Sequence, residues 1–240
     1  MYLRESTARI TGLFLIAMAI GVVIVVIAST AGSSEYSPLK RGEVAQYLTD
    51  VNDKQTAVLA TGAVGIVVDG FIGVAVAALL YLLFRDRSRL LATLALAGLL
   101  VQAGISLLAD GNNIVIAILA RDYAEGGPAG IAAGDPSLLE AGRYAGIVGI
   151  IFTSVLFVPL GLGLIALGWL IARAPAGAIN PPRWLGWVAV VGGVCAELAW
   201  TIFVTDTAIV FYISNLVTSL VFLFGLGSWL IRHPDAAPAV

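Results

Sequence analysis

Long apolar stretches alternate with short polar segments along most of this chain. The first, "ITGLFLIAMAIGVVIVVIA", contains no charged residue. A helix that crosses a bilayer needs about 20 predominantly apolar residues. The pattern therefore predicts an all-α polytopic membrane protein, a bundle of six transmembrane helices within a single domain covering residues 1–240. The predicted spans are Ile10–Ala31, Ala57–Phe84, Leu90–Ala120, Gly142–Ala172, Trp184–Thr205 and Ala208–Ile231.

Composition supports a membrane environment and excludes several functional classes. Hydrophobic residues make up 60% of the chain and charged residues 12%, whereas soluble domains carry about 25% charged residues. A net charge of −2 provides no basic surface for nucleic acid. Cys195 and His233 are the only residues of their types, so no zinc site of the usual Cys/His kind is expected, and neither is any cofactor. The lipid bilayer is the partner that this composition indicates.

The distribution of basic and aromatic residues predicts the orientation. An even number of spans places both termini on one side, and that side collects most of the Lys and Arg residues, including the short turn Arg85–Arg89. Short loops rich in Lys and Arg stay in the cytoplasm, and tryptophans gather at the membrane interface. The sequence therefore predicts cytoplasmic N and C termini. The tryptophans assigned to the same interface are Trp169, Trp184, Trp187 and Trp229.

Two longer connections lie on the opposite, outer side in this topology. In Pro38–Asn52 the apolar residues recur at helical spacing, which predicts an amphipathic helix on the outer membrane face, with Ser37 as its N-cap. The second connection is rich in Gly, Ala and Pro and is expected to be irregular. Asp135 is expected to cap the fourth helix, and Pro159 to bend it by more than about 20°. The apolar residues of the amphipathic segment are Val44, Tyr47, Leu48 and Val51.

Polar side chains interrupt the apolar stretches and are the candidate ligand- or proton-binding residues. Counting 1.5 Å per residue from the helix ends places four of them at similar depth in the outer half of the bilayer, roughly 20 to 24 Å from the cytoplasmic ends. Two others lie nearer the outer surface. Most share a helix face with glycines, and small residues let helices pack closely. The deeper four are Asp69, Gln102, Glu197 and Asn215, and the shallower two are Asp110 and Asn113.

The acidic residues Asp69 and Glu197 allow two interpretations, because no Lys or Arg occurs in the core of the spans. Each could be protonated and join helices through hydrogen bonds to Gln102 and Asn215. Alternatively, each could bind a proton or another cation, and ionisable residues inside membranes are functional candidates by default. Glu197 is expected to face the bundle interior and to be protonated at neutral pH unless a cation is bound, because removal from water disfavours an ionised carboxyl.

Three segments resemble a bacterial membrane family. The segments are "ARITGLFLIA", "VDGFIGVAVAALLYLLF" and "LLVQAGISLLADGNNIVIAIL". The family is known only as a domain of unknown function (number four-three-eight-six), and the resemblance covers nearly the whole chain. It implies a multi-pass protein with six spans in the bacterial plasma membrane. It implies no activity, ligand or catalytic residue.

Three functional hypotheses remain open. The first is a small transporter or permeation-type protein in which Asp69 and Glu197 bind a proton or cation; a homodimer is then plausible, because six helices are few for a secondary transporter. The second is a non-catalytic membrane protein that acts as an assembly or sensory partner. The third, a lipid-modifying membrane enzyme, has the least support because no histidine lies in the core.

Overall fold

The computed structural model describes residues 2–173, 181–199 and 208–234, and these residues form helices, turns and short connections without a strand. Within these residues, the long apolar stretches become helical, as predicted. A π-helical segment, Ile66–Ile72, connects two of the helices without an intervening loop. The helices are α1 (Tyr2–Gly32), α2 (Val44–Asp53), α3 (Gln55–Gly65), α4 (Gly73–Phe84), α5 (Arg89–Glu125), α6 (Pro136–Val155), α7 (Phe157–Ala172), α8 (Arg183–Ala199) and α9 (Ala208–Arg232).

Five helical segments of the described residues are long and apolar enough to cross a membrane. The predicted fifth span, Trp184–Thr205, is represented by α8, and its remaining residues lie outside the described ranges. The protein is therefore a helical membrane protein, while the six-helix bundle and the cytoplasmic termini stay predictions. The five segments are Glu5–Gly32, Gln55–Phe84, Arg89–Glu125, Pro136–Ala172 and Ile209–Arg232.

The chain divides into two compact units, and helices α1 and α5 contribute residues to both. Unit 1 is formed by Met1–Ile20, Asp69–Gly104 and Ser154–Val240. Unit 2 is formed by Gly21–Val68 and Ile105–Thr153. The prediction of a single domain stays a prediction.

Glycines bring the helices of unit 1 into backbone contact. A Cβ atom added to Gly193 on α8 would lie 2.6 Å from the carbonyl oxygen of Gly161 on α7, and one on Gly168 would lie 2.5 Å from the carbonyl oxygen of Gly186. The two glycines of each helix are seven residues apart, so they lie on the same face two turns apart. On α1, a Cβ atom at Gly12 would likewise lie 2.7 Å from the carbonyl oxygen of Gly227. Small residues thus set the helix spacing, as expected inside membranes.

Helix α2 forms much of the core of unit 2. Val44, Leu48 and Val51 are buried against Ile116 and neighbouring alanines of α5. The predicted amphipathic helix is therefore confirmed, and its apolar face is covered by protein. Its position on the outer membrane face stays a prediction.

The predicted start of this helix is wrong. Residues 38–40 form a turn, Arg41–Glu43 a short 3₁₀ helix, and the α-helix begins at Val44. Instead of capping a helix, Ser37 donates its backbone N–H to Glu43 Oε2 at 3.1 Å. The side-chain hydrogen bond from Lys40 has the largest effect in lowering the pKa of the Glu43 carboxyl, and the backbone hydrogen bond from Ser37 lowers it further. The Glu43 carboxylate therefore stabilises the turn, and the α-helix begins only after it, at Val44.

The second connection ends with the predicted cap. Asp135 Oδ1 accepts the backbone N–H of Ser137 at 2.7 Å and also the Ser137 hydroxyl. A carboxylate in this position satisfies a free N–H of the first helical turn. Before the cap, Gly134 adopts a φ of 75° and donates its N–H to the Tyr123 carbonyl at 2.8 Å, which closes the loop on the end of α5. Glycine adopts such a φ without strain.

Pro159 interrupts the predicted fourth span. Proline lacks an N–H, and its ring clashes with the carbonyl four residues earlier in a regular helix. That carbonyl belongs to Val155, the last residue of α6, and α7 begins at Phe157 after a single turn residue. The break is therefore located where proline geometry requires it. The size of the bend stays a prediction.

Candidate functional site

Glu197 occupies a notch between α7 and α8 in unit 1. A Cβ atom on Gly161 would lie 2.7 Å from Glu197 Oε1 and 2.9 Å from its Cγ, so the missing side chain of Gly161 makes room for the carboxyl group. Gly193, one turn earlier on α8, brings the two backbones together at the same place. The side chain is half-buried rather than enclosed. Glu197 therefore faces a neighbouring helix of its own unit.

The carboxyl group of Glu197 has few polar neighbours. Its Oε1 atom is shielded from solvent and has no hydrogen-bond partner among the described residues, while the backbone N–H of Leu162 interacts with the group. The ion pairs of the described chain all lie in connections or near helix ends, and none includes Glu197 or Asp69. A carboxyl in this position has acceptor capacity to spare for a proton or a small cation.

The side-chain amide of Asn215 contacts the backbone of α8. Its Nδ2 atom donates to the Gly192 carbonyl at 2.9 Å. Asn215 is buried. A Cβ atom added to Gly192 would lie 2.7 Å from the hydroxyl oxygen of Thr218, on the same helix as Asn215. The amide therefore joins α9 to the backbone of α8. The predicted hydrogen bond between Asn215 and an intramembrane acid stays a prediction.

Asp69 lies within the π-helical segment Ile66–Ile72, in the middle of the second span. A π-helical turn inserts a residue into the helix, disturbs the regular hydrogen-bond ladder, and is frequently found at functional sites. The side chain is half-buried. The sequence located the acidic residue correctly but gave no signal for the change in helix type around it.

Gln102 is buried on α5 in unit 1. One turn earlier, a Cβ atom on Gly98 would lie 2.6 Å from the Pro159 carbonyl oxygen and 2.8 Å from the Gly163 nitrogen. This close crossing places the face of α5 that carries Gln102 toward α7, which agrees with the expectation that the glycine face looks inward.

Asp110 is a residue of α5, and its side chain faces α3 in unit 2. Its carboxyl group fills the space that a side chain at Gly65 would need, and its carbonyl oxygen would lie 2.6 Å from a Cβ atom at Gly62. Two residues further along α5, the side-chain amide of Asn112 donates to the Ala145 carbonyl at 2.9 Å and lies against Gly149. Asn112 was not singled out from the sequence, although it neighbours Asn113, because its helix face cannot be assigned without the partner helix α6.

A cavity of about 200 Å³ opens within unit 2, and Asn113 lines it. Its walls come from the end of α1, from α2 and α3, and from α5. The sequence predicted Asn113 as a candidate, but not the hydroxyl groups that share its cavity, because they come from chain segments remote in sequence. The polar lining residues are Ser29, Ser33, Ser34, Tyr47, Thr61 and Asn113.

A polar network joins α2 to the segment after α1 beside this cavity. Lys54 Nζ lies 3.0 Å from an Asp50 carboxylate oxygen and donates to the Ser33 carbonyl at 2.8 Å. The hydroxyl of Ser34 is the largest influence that lowers the pKa of Asp50, and Lys54 lowers it further. Asp50 is accordingly a charged tether between the two segments at neutral pH.

Acid is expected to weaken this tether. Because the pKa of folded Asp50 lies below the ordinary value of 3.8, its contribution to stability is complete above pH 3.8 and disappears as the pH falls through the lowered value. The protection of residues 44–53 against hydrogen exchange, relative to the intrinsic exchange rate at each pH, should therefore fall below that pH. The variant Asp50→Asn should have reduced protection already at neutral pH, and its protection should fall less than that of wild type below pH 3.8. A wild-type protection that falls no more than that of Asp50→Asn would contradict the assignment.

The predicted site residues are divided between the two compact units. Four of them belong to unit 1, where Glu197 and Asn215 have defined neighbours on α7 and α8, and the other two belong to unit 2. No group of three or more His, Cys, Asp or Glu side chains suited to a metal ion occurs in the described ranges. The four in unit 1 are Asp69, Gln102, Glu197 and Asn215, and the two in unit 2 are Asp110 and Asn113.

These features define an integral membrane protein with polar groups placed inside apolar helices. Its family model is described as Domain of unknown function (DUF4386) and matches residues 10–233. The chain belongs to this family, as the sequence resemblance indicated. Searches of curated proteins and of solved structures found no match.

Proposed function

We propose that the protein is a small transporter or permeation-type membrane protein in which Glu197 binds and releases a proton or a small cation. One observation carries the proposal: Glu197 Oε1 is shielded from solvent and accepts no hydrogen bond within the described residues. A carboxyl that only joins helices would have its oxygen atoms paired, because an unpaired buried polar group costs about 1–3 kcal/mol.

The surroundings of Glu197 support this reading. Gly161 provides space for the carboxyl group, so the packing of α7 accommodates it instead of covering it with a side chain. Asn215, the partner expected for a helix-joining role, directs its amide nitrogen to Gly192. Asp69 in its π-helical segment is the second proposed binding residue, because irregular helix geometry at an intramembrane acid is a common feature of functional sites.

The variant Glu197→Gln tests the proposal, because it keeps the shape of the side chain and removes its titration. The purified protein is reconstituted in liposomes that contain a pH-sensitive dye, and proton flux is measured under an imposed pH gradient and membrane potential, with Na⁺ or K⁺ present. Wild type should produce flux above that of protein-free liposomes. Glu197→Gln should reduce it to that background while unfolding at the same temperature as wild type.

Glu125→Gln is the matched control, because Glu125 is an exposed glutamate at the end of α5. It should retain wild-type flux. If Glu197→Gln conducts like wild type, or if wild type shows no flux under any of these gradients, the proposed role of Glu197 is wrong. Equal stability with equal flux would indicate that the glutamate has only a packing role.

We further expect the protein to act as a homodimer in the bacterial plasma membrane, because six helices are few for a secondary transporter. Helix α9 exposes a row of apolar side chains that suits contact with lipid or with a second copy. The exposed residues of this row are Ile209, Val210, Ile213, Val217 and Val221.

A further inference from the structure

The cavity of unit 2 has an uncharged lining, although charged residues lie nearby. None of the residues that line it is Asp, Glu, Lys, Arg or His. Asp50 and Lys54 pair with each other and with the segment after α1, so their charges are already compensated. An ion entering the cavity would lose water without gaining a countercharge, which is costly. The lining therefore favours an uncharged occupant.

The hydrogen-bonding groups of the cavity are of both kinds. The Ser33 hydroxyl donates to the Thr30 carbonyl at 2.8 Å, and the Thr61 hydroxyl donates to the Ala57 carbonyl at 2.9 Å. A hydroxyl has one proton and two lone pairs, so both oxygens are left as acceptors toward the cavity. The Asn113 amide can both donate and accept.

Tyr47 supplies a donor that persists over a wide pH range. Burial raises the pKa of Tyr47 to about 12, so its hydroxyl keeps its proton under physiological conditions. Apolar walls from Val51, Val58 and Ile116 complete the cavity. An occupant with several hydroxyl groups and an aliphatic side would therefore match both the polar and the apolar parts of the lining.

The size and position of the cavity narrow the occupant further. Drug-sized ligands occupy pockets of about 300–1,000 Å³ and a water molecule about 30 Å³, so a cavity of about 200 Å³ suits a small molecule or the polar end of a larger one. Ser29, Ser33 and Ser34 surround the end of the span Glu5–Gly32, and Thr61 lies near the start of the span Gln55–Phe84. The cavity thus lies where spans end, at the level at which solutes from water and headgroups of lipids are both present.

We propose that this cavity is a binding site for a small uncharged group bearing vicinal hydroxyls, of which glycerol is the simplest representative, either as a free solute or as the glycerol end of a neutral lipid. The site lies entirely in unit 2, and its test is independent of Glu197. Ser33 and Thr61 accept hydrogen bonds from the hydroxyls, and Tyr47 and Asn113 donate to them.

A cysteine placed in the cavity reports occupancy. In a Cys195→Ala background of the full chain, Ser29→Cys provides a thiol in the lining, and Thr49→Cys provides a matched thiol on the exposed face of α2, outside the lining. Reaction with a small thiol reagent is followed with and without a probe. Only the empty fraction reacts, so a probe at roughly ten times its Kd should slow labelling of Ser29→Cys about tenfold and leave Thr49→Cys unchanged.

The probes distinguish the source of the occupant. Protection by glycerol in detergent identifies a free solute, and protection by diacylglycerol in nanodiscs, but not by glycerol, identifies a lipid end. Either outcome supports the proposal. Adding Tyr47→Phe or Asn113→Leu should raise the concentration needed for half-protection, and Tyr47→Phe keeps the ring and thus the fold. Glycerol 3-phosphate and choline, which carry charge, should not protect.

The proposal is overturned if neither neutral probe slows labelling of Ser29→Cys, or if the charged probes protect as well as the neutral ones. It is also overturned if Thr49→Cys is slowed to the same extent, or if Tyr47→Phe and Asn113→Leu both leave the half-protection concentration unchanged.

Discussion

Replacing Gly193 by alanine is expected to destabilise the protein strongly. The added Cβ atom would lie 2.6 Å from the Gly161 carbonyl oxygen, 2.7 Å from Ile165 Cγ1 and 3.0 Å from the Ile165 nitrogen. Two of these atoms belong to the backbone of α7, so relief requires the helices to separate. Overpacking of this kind costs about 1–3 kcal/mol and sometimes more. Thermal unfolding of the purified protein in detergent should show a clearly lowered midpoint.

Gly104→Ala is the matched control. Gly104 also lies inside a helix, α5, but a Cβ atom there meets no atom within 4 Å. Because alanine favours a helix over glycine by about 0.8–1 kcal/mol, this variant should be as stable as wild type or slightly more stable. If Gly193→Ala and Gly104→Ala have the same midpoint, the close contact between α7 and α8 is not what stabilises unit 1.

The second large effect is expected from Leu48→Ala in unit 2. Leu48 is completely buried and anchors α2, and its Cδ2 atom lies 2.6 Å from where a Cβ atom of Gly142 would be. Truncating a buried leucine costs about 2–5 kcal/mol, depending on how far the site can collapse. The free energy of unfolding should fall by that amount. Hydrogen exchange of residues 44–53 should become faster at neutral pH, because α2 loses its central contact.

Leu39→Ala is the control for this variant, because Leu39 precedes the same helix and is 51% exposed. Substitutions at exposed positions usually change stability by no more than about 0.5 kcal/mol. Comparable destabilisation by both leucine variants would mean that the segment before α2 contributes as much to stability as the buried face of the helix.

Helix positions could be predicted well, because a membrane-spanning helix satisfies its backbone hydrogen bonds internally and shows its identity in composition alone. The cap at Asp135 and the break before Pro159 were also predictable, since each depends on residues within one turn. The start of α2 was not. Ser37 and Pro38 have the right types for a helix start, but the Glu43 carboxylate accepts the Ser37 N–H and holds a turn instead.

The candidate polar residues illustrate the same limit. Glu197 stands out because an acid in an apolar helix is conspicuous. The contact between its carboxyl group and Gly161 cannot be predicted from the sequence, because it depends on how α7 and α8 cross. Asn112 was missed because its helix face cannot be assigned without α6, and the hydroxyls around Asn113 were missed because they come from segments remote in the chain. Their role follows only from the helices opposite them.

The sequence by itself determined that this is an all-helical membrane protein with a few polar groups in its spans, because apolar length and composition act locally and require no partner. The tertiary structure alone decided which glycines meet, where the Asn215 amide is directed and which hydroxyls share a cavity with Asn113. Those outcomes depend on the crossing of helices distant in the chain, where a difference of one residue in register exchanges a close backbone contact for a clash.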